Sequence, residues 1–405
     1  MGNVPTLRFS QFSGEWEEKK LVDIIDFKSG YAFSSSDMSN DLEKYQLIKM
    51  SNIYQNVLSL DRSPSYWKEL KDVQKDFLLQ KGDIVLTLTG TVGKRDYGYS
   101  AVIPKNDKFL LNQRLVRLRA KTDKSLSSFV YNIVLSERFL YHFFSNSKGG
   151  TGNQSNVSIE DLKQIKFPLP LKQEQEKIAS FLSTVDKKIE KLEEKIALQE
   201  KYKKAMMQKI FSQEIRFKAD DGSDFPAWEE KKLGDISKIT MGQSPDSKSY
   251  NNNANGLYLI QGNADIKNRK SNPRNWTSEP TKECNIGDLL LTVRAPVGAI
   301  AKSYHNACIG RGVCAISNNK YSDIEYLYQY LLWFEKRWIS LEQGSTFTAV
   351  SSSDIKTLKI PYPSLKEQQK IANFLSSLDK KIEATKKQKQ KAVEFKKGLL
   401  QQMFV

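Results

Sequence analysis

The chain has 405 residues, 39% of them hydrophobic and 27% charged, and it carries a net charge of +16. This length and apolar content suit two ordinary domains with cores of their own, and the positive charge favours a polyanion or an acidic protein as partner. The chain contains no stretch of about 18 apolar residues, so no membrane span is predicted. The N-terminus shows no signal-peptide pattern, and three cysteines with only two histidines disfavour a disulfide framework or a zinc site, so we expect a cytoplasmic protein.

The first half of the chain mixes predicted strands with a predicted helix. Apolar, strand-like runs occupy residues 45–50, 83–89 and 109–118. A helix is predicted over 125–144, where large apolar residues recur at the spacing of one buried helix face. Together these elements predict a mixed α and β domain over residues 1–171.

A long helix follows this first domain. Proline is tolerated before a helix but not inside it, so Pro168 and Pro170 place the start of the helix just after them. The helix is predicted over 172–212, and its roughly 40 residues rise by about 60 Å. Its apolar residues alternate by four and three, which is the spacing of a coiled-coil seam. These seam residues are Ile178, Leu182, Val185, Ile189, Leu192 and Ile196.

The second half repeats this order. Its three strand-like runs and its helix are predicted at 257–261, 288–293, 308–316 and 323–340. They predict a second mixed domain over 213–364, and Pro361 and Pro363 precede a second long helix over 365–405. The seam residues of that helix are Ile371, Leu375, Leu378 and Ile382. A narrow apolar stripe leaves neither long helix stable alone, so we predict that the two helices pair antiparallel.

An internal repeat explains this order. The sequence WEEKKL at residues 16–21 returns at 228–233, and Ile215-Arg216-Phe217 matches Leu7-Arg8-Phe9, so the repeat is circular in kind. A unit of nearly half the chain excludes a solenoid of small modules. It predicts a pseudo-twofold molecule of α+β and α/β character, with two similar globular domains and an antiparallel coiled coil. Duplex DNA is a ligand of matching symmetry.

No constellation of catalytic residues is apparent. Residues 90–94 (GTVGK) resemble a phosphate-binding loop, but the spacing fails. Neither histidine recurs between the halves, and the acids that recur, such as Asp83 and Asp288, stand singly and suit caps or turns. We therefore expect a chain that is not an enzyme and holds no cofactor or metal of its own. Two alternatives stay open: a self-contained DNA methyltransferase or nuclease, and a coiled-coil scaffold with two protein-binding heads that does not bind DNA.

The whole set of repeated motifs resembles the specificity (S) subunit of Type I restriction–modification systems. The resemblance covers essentially the whole chain and rests on three motifs, each present twice in the same order. These are WEEKKL at 16–21 and 228–233, the strand and turn at 82–93 and 287–298, and the block from Pro-x-Pro to Asp-Lys-Lys-Ile-Glu at 168–190 and 361–383.

This resemblance implies a function in DNA recognition. Each globular domain would be a target recognition domain that reads one half of a bipartite DNA sequence, and the coiled coil would set the spacer between the halves. Two modification subunits would dock on the chain and methylate adenines with S-adenosylmethionine. Restriction subunits would complete the translocase and nuclease, so ATP and Mg would also belong to partner subunits.

The residues that read DNA are expected where the repeat is broken. Reading bases requires hydrogen bonds from side chains in a groove, so the frame should repeat while the readers differ. In the first domain we predict DNA contacts by Lys94, Arg95, Asn112, Gln113, Arg114, Asn153, Gln154 and Asn156. In the second domain we predict them for Gln243, Ser244, Arg294, Arg311 and Thr346. Phosphate contact and plain loop polarity are the alternative roles, and the recurring pair Arg114 and Arg311 also suits a role in the fold. Because the loops differ, we predict two unlike half-sites.

Overall fold

A computed structural model describes residues 3–149, 153–342 and 350–404 of the chain. By its internal contacts the chain divides into two compact units. The first unit comprises Met1–Lys191 with Gln388–Val405, and the second unit comprises Leu192–Lys387. Each unit therefore contains part of both long helices. Along the described ranges, no helix is long and apolar enough to cross a membrane.

Among the described residues, the first half of the chain has six α-helices and the second half has four. Those of the first half are α1 (Leu21–Ile24), α2 (Asp72–Lys75), α3 (Ser127–Leu135), α4 (Glu137–Ser145), α5 (Ile159–Gln164) and the long α6 (Lys172–Phe211). Those of the second half are α7 (Leu233–Ile236), α8 (Ile324–Glu342), α9 (Ser352–Thr357) and the long α10 (Leu365–Met403).

The strands are short and numerous. In the first unit they are β1 (Glu17–Lys20), β2 (Ile25–Ser29), β3 (Tyr45–Ile48), β4 (Ile53–Tyr54), β5 (Val57–Leu58), β6 (Tyr66–Trp67), β7 (Leu78–Leu79), β8 (Ile84–Thr87), β9 (Thr89–Thr91), β10 (Ser100–Val102), β11 (Phe109–Leu111), β12 (Leu115–Ala120), β13 (Lys148–Gly149), β14 (Gln154–Asn156) and β15 (Lys166–Leu169). In the second unit they are β16 (Glu229–Lys232), β17 (Ser237–Met241), β18 (Tyr250–Asn251), β19 (Leu257–Ile260), β20 (Ile266–Lys267), β21 (Lys270–Ser271), β22 (Asn275–Thr277), β23 (Glu283–Cys284), β24 (Leu289–Thr292), β25 (Ile300–Lys302), β26 (Ala307–Ile309), β27 (Val313–Asn318) and β28 (Lys359–Tyr362).

Two four-stranded sheets form the frame of the first unit. One is antiparallel with the order β10-β8-β12-β2, and the other has the order β6-β3-β11-β7 with β11 parallel to β3. All four residues of β8 are buried, which explains why this segment is a continuous apolar run rather than an alternating one. A three-stranded sheet, β13-β14-β9, and the pairs β1-β15 and β4-β5 complete the unit.

The second unit repeats this frame with larger sheets. Its six-stranded sheet has the order β17-β27-β24-β25-β21-β20, in which the first four strands correspond to β2, β12, β8 and β10. Its five-stranded sheet has the order β18-β22-β19-β26-β23, with β26 parallel to β19 as β11 is to β3. The predicted repeat of mixed α and β domains is therefore confirmed.

Two sequence predictions merged elements that the structure separates. The helix predicted over 125–144 is two helices, because Ser136 is extended (ψ 147°) and its Oγ accepts a hydrogen bond from the Phe139 amide at 3.3 Å, capping α4. The strands predicted over 109–118 and 308–316 each contain a tight turn between two strands. Asn112-Gln113-Arg114 and Gly310-Arg311-Gly312 are the polar and glycine residues that mark these turns.

In the first unit the two long helices pack antiparallel. Ile178 and Leu182, near the start of α6, share one hydrophobic core with Met403, at the end of α10. The Lys396 ammonium lies 2.6 Å from a carboxylate oxygen of Asp186. Early turns of one helix thus meet late turns of the other.

In the second unit, the end of α6 packs against the start of α10. Ile210, near the end of α6, shares the core with Ile371, near the start of α10, and Lys203 binds both carboxylate oxygens of Asp379 at 2.6 and 2.8 Å. This is the antiparallel coiled coil that the seam predicts. The buried seam residues are Ile178, Leu182, Val185, Ile371, Leu375 and Ile382, and the half-buried ones are Ile189, Leu192, Ile196 and Leu378.

In each unit, a buried ion pair also joins a long helix to the segment before the WEEKKL motif. In the first unit, Arg8 binds both oxygens of Glu174 at 2.7 and 2.8 Å. In the second unit, Arg216 binds both oxygens of Glu367 at 3.2 and 2.8 Å. The two carboxylates are 2% and 0% exposed, so each depends on its arginine for charge compensation.

The circular character of the repeat appears in the backbone. In the second unit, where the chain is continuous, the Ile215 amide donates to the Lys209 carbonyl at 3.1 Å. In the first unit, the Leu7 amide donates to the Gln402 carbonyl at 3.0 Å, so the two ends of the chain reproduce the same junction.

The acids that recur between the halves hold turns, as predicted. The Asp83 carboxylate accepts a hydrogen bond from the Gln80 amide at 2.8 Å, and the Asp288 carboxylate accepts one from the Asn285 amide at 2.8 Å. Both turns end at the start of an equivalent buried strand, β8 or β24.

Candidate nucleic-acid interface

A tight turn after β9 carries the first two predicted contact residues of the first unit. Lys94 and Arg95 are exposed on this turn. Asp96 holds the turn in shape, because its two carboxylate oxygens accept hydrogen bonds from the amide and the hydroxyl of Thr91 at 2.8 and 2.7 Å. These hydrogen bonds lower the pKa of Asp96. The Arg95 guanidinium lies 5.0 Å from the centre of the Phe144 ring.

Strand β14 brings three more predicted residues to the same place. It pairs with β9, so that Gln154 lies opposite Thr91. The Asn153 carbonyl accepts a hydrogen bond from the Val92 amide at 3.2 Å, which fastens the start of β14 to the turn. Asn153, Gln154 and Asn156 are all exposed. Lys94, Arg95 and these side chains therefore belong to one exposed polar surface, which we call the β9–β14 surface.

The turn between β11 and β12 carries Asn112, Gln113 and Arg114. Gln113 and Arg114 are exposed, and Arg114 has a φ of +68°. Asn112 is only 8% exposed, and its side-chain oxygen accepts a hydrogen bond from the Gln113 amide at 2.9 Å. This geometry favours a turn-stabilising role for Asn112. The Arg114 carbonyl accepts from the Leu88 amide at 3.3 Å, which ties this turn to the segment just before β9.

In the second unit, three predicted residues line one concave site. A cavity of about 260 Å³ is bounded by Ser244, Arg294 and Arg311, together with Gln261 and Asn263. The Arg311 amide donates to the Ser244 hydroxyl at 3.2 Å, so two of the four loops that line the site are linked directly. Both arginine side chains are exposed. We call this site the β19–β27 cavity, after the strands that flank it.

Gln243 lies beside this cavity, and one predicted residue lies elsewhere. The backbone of Gln243 is fully engaged, since its amide donates to Ile309 at 2.9 Å and its carbonyl accepts from the Thr281 hydroxyl. Its side chain is exposed. The prediction for Thr346 falls outside the described residues.

The structure corrects the predicted equivalence of Arg114 and Arg311. The pairing of β12 with β8 places Leu115 opposite Thr87, and the pairing of β27 with β24 places Val313 opposite Thr292. Arg311 is therefore the counterpart of Gln113, and Arg114 corresponds to a glycine. The two arginines therefore occupy different positions of the turn and do not form a recurring framework pair.

Sequence reasoning missed Gln261 and Asn263. They directly follow β19, and the Gln261 side chain donates to the Tyr250 hydroxyl at 3.0 Å. The available signal was their position at the end of a predicted strand, where polar side chains reach the edge of a sheet. The prediction over 257–261 placed Gln261 inside the strand instead.

The chain matches the family described as the Type I restriction modification DNA specificity domain, over residues 13–200 and 227–394. It is 30% identical over 410 residues to the putative type I restriction enzyme MjaX specificity subunit of Methanocaldococcus jannaschii, with 98% of this chain and 95% of that protein covered. Among solved structures, it is similar to the Type-I restriction-modification system S subunit from M. genitalium, with a TM-score of 0.59, 19% identity and 99% of both chains covered. The structural likeness supports the fold.

The fold is a repeated frame whose described polar loops differ between the two units. The matched regions cover most of the chain, so it belongs to the family of Type I restriction–modification specificity subunits. It functions in DNA sequence recognition. Members of this family are non-catalytic subunits, which agrees with the lack of a catalytic constellation in the sequence.

Proposed function

We propose that each unit reads one half of a bipartite DNA target, and that the two half-sites differ. The observation that supports this proposal is that β2, β12, β8 and β10 correspond to β17, β27, β24 and β25, whereas the exposed polar residues described around these strands differ between the two units. The first unit offers the β9–β14 surface with one lysine, one arginine and several amides. The second offers the β19–β27 cavity with two arginines.

The side chains on these surfaces suit recognition of different bases. Arginine forms paired hydrogen bonds with guanine, and asparagine or glutamine forms them with adenine. Arg294 and Arg311 therefore favour a guanine-containing half-site for the second unit. Asn153 and Gln154 favour an adenine-containing half-site for the first unit. Lys94 and Arg95 also suit contacts with phosphates, which position a protein without specifying sequence.

The test is a map of methylated sites by long-read sequencing in cells that express the chain with its modification subunits. We expect an asymmetric bipartite motif. Arg311→Ala should relax one position of one half-site, at about 1–3 kcal/mol of discrimination, and leave the other half-site unchanged. Gln154→Ala is the matched control, because it should relax only the other half-site. A palindromic motif, or both half-sites altered by either variant, would contradict the proposal.

We further propose that the chain divides functionally into recognition domains at 1–171 and 213–364 and spacer helices at 172–212 and 365–405. In this division the coiled coil sets the length of the non-specific DNA spacer. The antiparallel packing of α6 and α10 within each unit supports this role, since a two-stranded coiled coil is a stiff element of defined length.

The partners of the chain are the second part of the proposal. We infer that two modification subunits dock on it, one on each unit, and that restriction subunits join them. Two exposed aromatic residues support a pair of docking sites. Tyr202 of α6 and Phe395 of α10 are 52% and 57% exposed, and the repeat places them at equivalent positions. Exposed aromatic side chains often serve as anchors in protein interfaces.

Mass measurements on the co-expressed complex test this inference. Wild-type chain should bind two modification subunits. Tyr202→Ser and Phe395→Ser should each weaken one of the two binding events by about tenfold or more, the loss expected for an interface anchor. Leu42→Ser, at an exposed residue of the first unit away from the long helices, is the control. Unchanged binding by both aromatic variants would refute the anchor role.

S-adenosylmethionine, ATP and Mg are proposed to act on the partner subunits. Isothermal titration of the chain alone with S-adenosylmethionine should show no binding. Binding by the chain alone would instead support a self-contained methyltransferase.

A further inference from the structure

The first unit contains an open groove that the second unit fills with its own side chains. The groove has a volume of about 390 Å³ and lies between β10, α3 and α6. Its walls include Val102, Ser128, Tyr131, Asn132 and Asp186. Val102 is 39% exposed although it is an apolar strand residue.

The repeat identifies the equivalent residues of the second unit. Val102 lies opposite Ile84 in the β8–β10 pairing, and Lys302 lies opposite Leu289 in the β24–β25 pairing, so Val102 corresponds to Lys302. The Ser125 hydroxyl donates to the Ile24 carbonyl at the end of α1, and the Ser322 hydroxyl donates to the Ile236 carbonyl at the end of α7. These equivalent hydrogen bonds align α3 with α8. By this alignment Ser128, Tyr131 and Asn132 correspond to Glu325, Tyr328 and Gln329.

In the second unit these positions form a continuous network. The Lys302 ammonium binds the Glu325 carboxylate and lies 4.3 Å from the centre of the Tyr328 ring. The amide nitrogen of Gln329 bridges Glu325 at 3.0 Å and Asp379 at 2.9 Å. As a result Tyr328 is buried, whereas its counterpart Tyr131 is only half-buried.

The first unit keeps an amide and an aspartate at the equivalent positions, Asn132 and Asp186, but it lacks the lysine and the glutamate, and its Asp186 is paired with Lys396. Valine replaces the lysine and serine replaces the glutamate. Asn132 is 4% exposed, and its side-chain nitrogen reaches only the Ser128 carbonyl at 2.7 Å. Its side-chain oxygen finds no hydrogen-bond partner among the described residues. The Gln329 oxygen of the second unit is also unpaired, but there a lysine of the chain already occupies the space. A buried acceptor without a donor is costly.

We propose that the groove of the first unit receives a lysine or arginine side chain from the modification subunit. This proposal rests on the proposed function. The aliphatic part of the incoming side chain packs on Val102 and the Tyr131 ring, and its cationic head donates to the Asn132 oxygen and approaches Asp186. The second unit shows that a cation over this tyrosine, where it is paired with Glu325, is compatible with the fold. Long cationic side chains combine an apolar stem with a charged end, as the groove requires.

This arrangement makes the two docking sites unequal. The unit with the open groove gains a contact that the other unit makes within itself. We therefore expect the first unit to bind its modification subunit more tightly than the second unit does, although the two frames are equivalent.

A graft between the two units tests the proposal in the co-expressed complex. Val102→Lys with Ser128→Glu transfers the ion pair of the second unit into the groove. The graft should lower the affinity of the tighter binding event at least tenfold, measured by mass photometry over a dilution series, and leave the weaker event unchanged. Asn132→Leu, which removes the unpaired acceptor, should also weaken the tighter event.

Two control variants separate the groove from general effects of charge. Val73→Lys makes the same change at an exposed residue of the first unit outside the groove, and it should bind as wild type does. Lys302→Val with Glu325→Ser removes the filling pair from the second unit, and it should leave the tighter event unaltered. Circular dichroism and melting temperature establish that each variant is folded.

The outcomes distinguish the groove from the proposed function. If the wild-type chain binds two modification subunits and the graft has no effect on their affinity, the groove proposal is overturned and the proposed function stands. Absence of any modification subunit on the wild-type chain would overturn both. An equal loss for the graft and for Val73→Lys would assign the effect to surface charge and refute the groove proposal.

Discussion

Breaking the ion pair between Arg216 and Glu367 tests how much this pair stabilises the second unit. The Glu367 carboxylate is fully buried, and Arg216 binds both of its oxygens. Arg216 also donates to the Pro226 carbonyl at 2.7 Å and lies 5.8 Å from the centre of the Trp228 ring. Replacing Arg216 with methionine keeps much of the side-chain volume but leaves an uncompensated charge in the core.

The expected cost follows from this burial. Breaking a buried ion pair by removing one partner typically costs about 3–5 kcal/mol. The arginine side chain is 28% exposed, so we expect the lower end, about 3 kcal/mol. Since about 1.4 kcal/mol corresponds to a factor of ten, amides that exchange through unfolding of the second unit should exchange roughly 100-fold faster.

Hydrogen exchange with mass spectrometry measures this effect in each unit separately. In Arg216→Met, peptides from β24 and β27 should lose protection, while peptides from β8 and β12 of the first unit serve as the internal control. Arg8→Met should give the mirror result, because Arg8 binds the equivalent Glu174. Adding Glu367→Gln to Arg216→Met should restore most of the protection, since no buried charge is then left. Unchanged exchange in β24, or an equal loss in both units, would refute the reasoning.

Three further predictions address the helices and the frame. Inserting four residues after position 191 of α6 and four after position 387 of α10 lengthens each helix by about 6 Å, which is nearly two DNA base pairs of about 3.4 Å each. Methylation mapping should then show a longer spacer with unchanged half-sites. Altered half-sites would contradict the role of the coiled coil in setting the spacer. Gly398→Ala should raise the free energy of unfolding by about 0.5–1 kcal/mol, because nothing lies within 4 Å of the new Cβ and the equivalent residue of α6 is already Ala205; a lower melting temperature would contradict this. Gly242→Ala should unfold the second unit or abolish its half-site, because the new Cβ would lie 2.1 Å from a backbone carbonyl oxygen; a wild-type melting curve with an intact half-site would count against the close approach.

The sequence alone was enough for the architecture because the determining signals are local or repeated. Proline pairs and a four-and-three seam predict the long helices and their antiparallel pairing, and α6 and α10 begin at Lys172 and Leu365, just after those prolines. Repeated motifs predict two equivalent frames. The spacing of apolar residues was too coarse where a short polar segment turns the chain between two strands, as at Asn112, or where a serine interrupts a helix, as at Ser136.

The sequence determined the repeated architecture, because the spacing of apolar residues and the order of motifs are properties of the chain itself. The role in recognition came from the resemblance of those motifs to Type I specificity subunits. Only the tertiary structure decided which polar residues stand together. Strand register separates Arg114 from Arg311 by one position. Loops from four parts of the second unit meet at the β19–β27 cavity. Likewise, only packing reveals that Lys302 fills in one unit the space that stays open beside Val102 in the other. Such neighbours are far apart in the chain, and the pairing of strands and helices decides which of them meet.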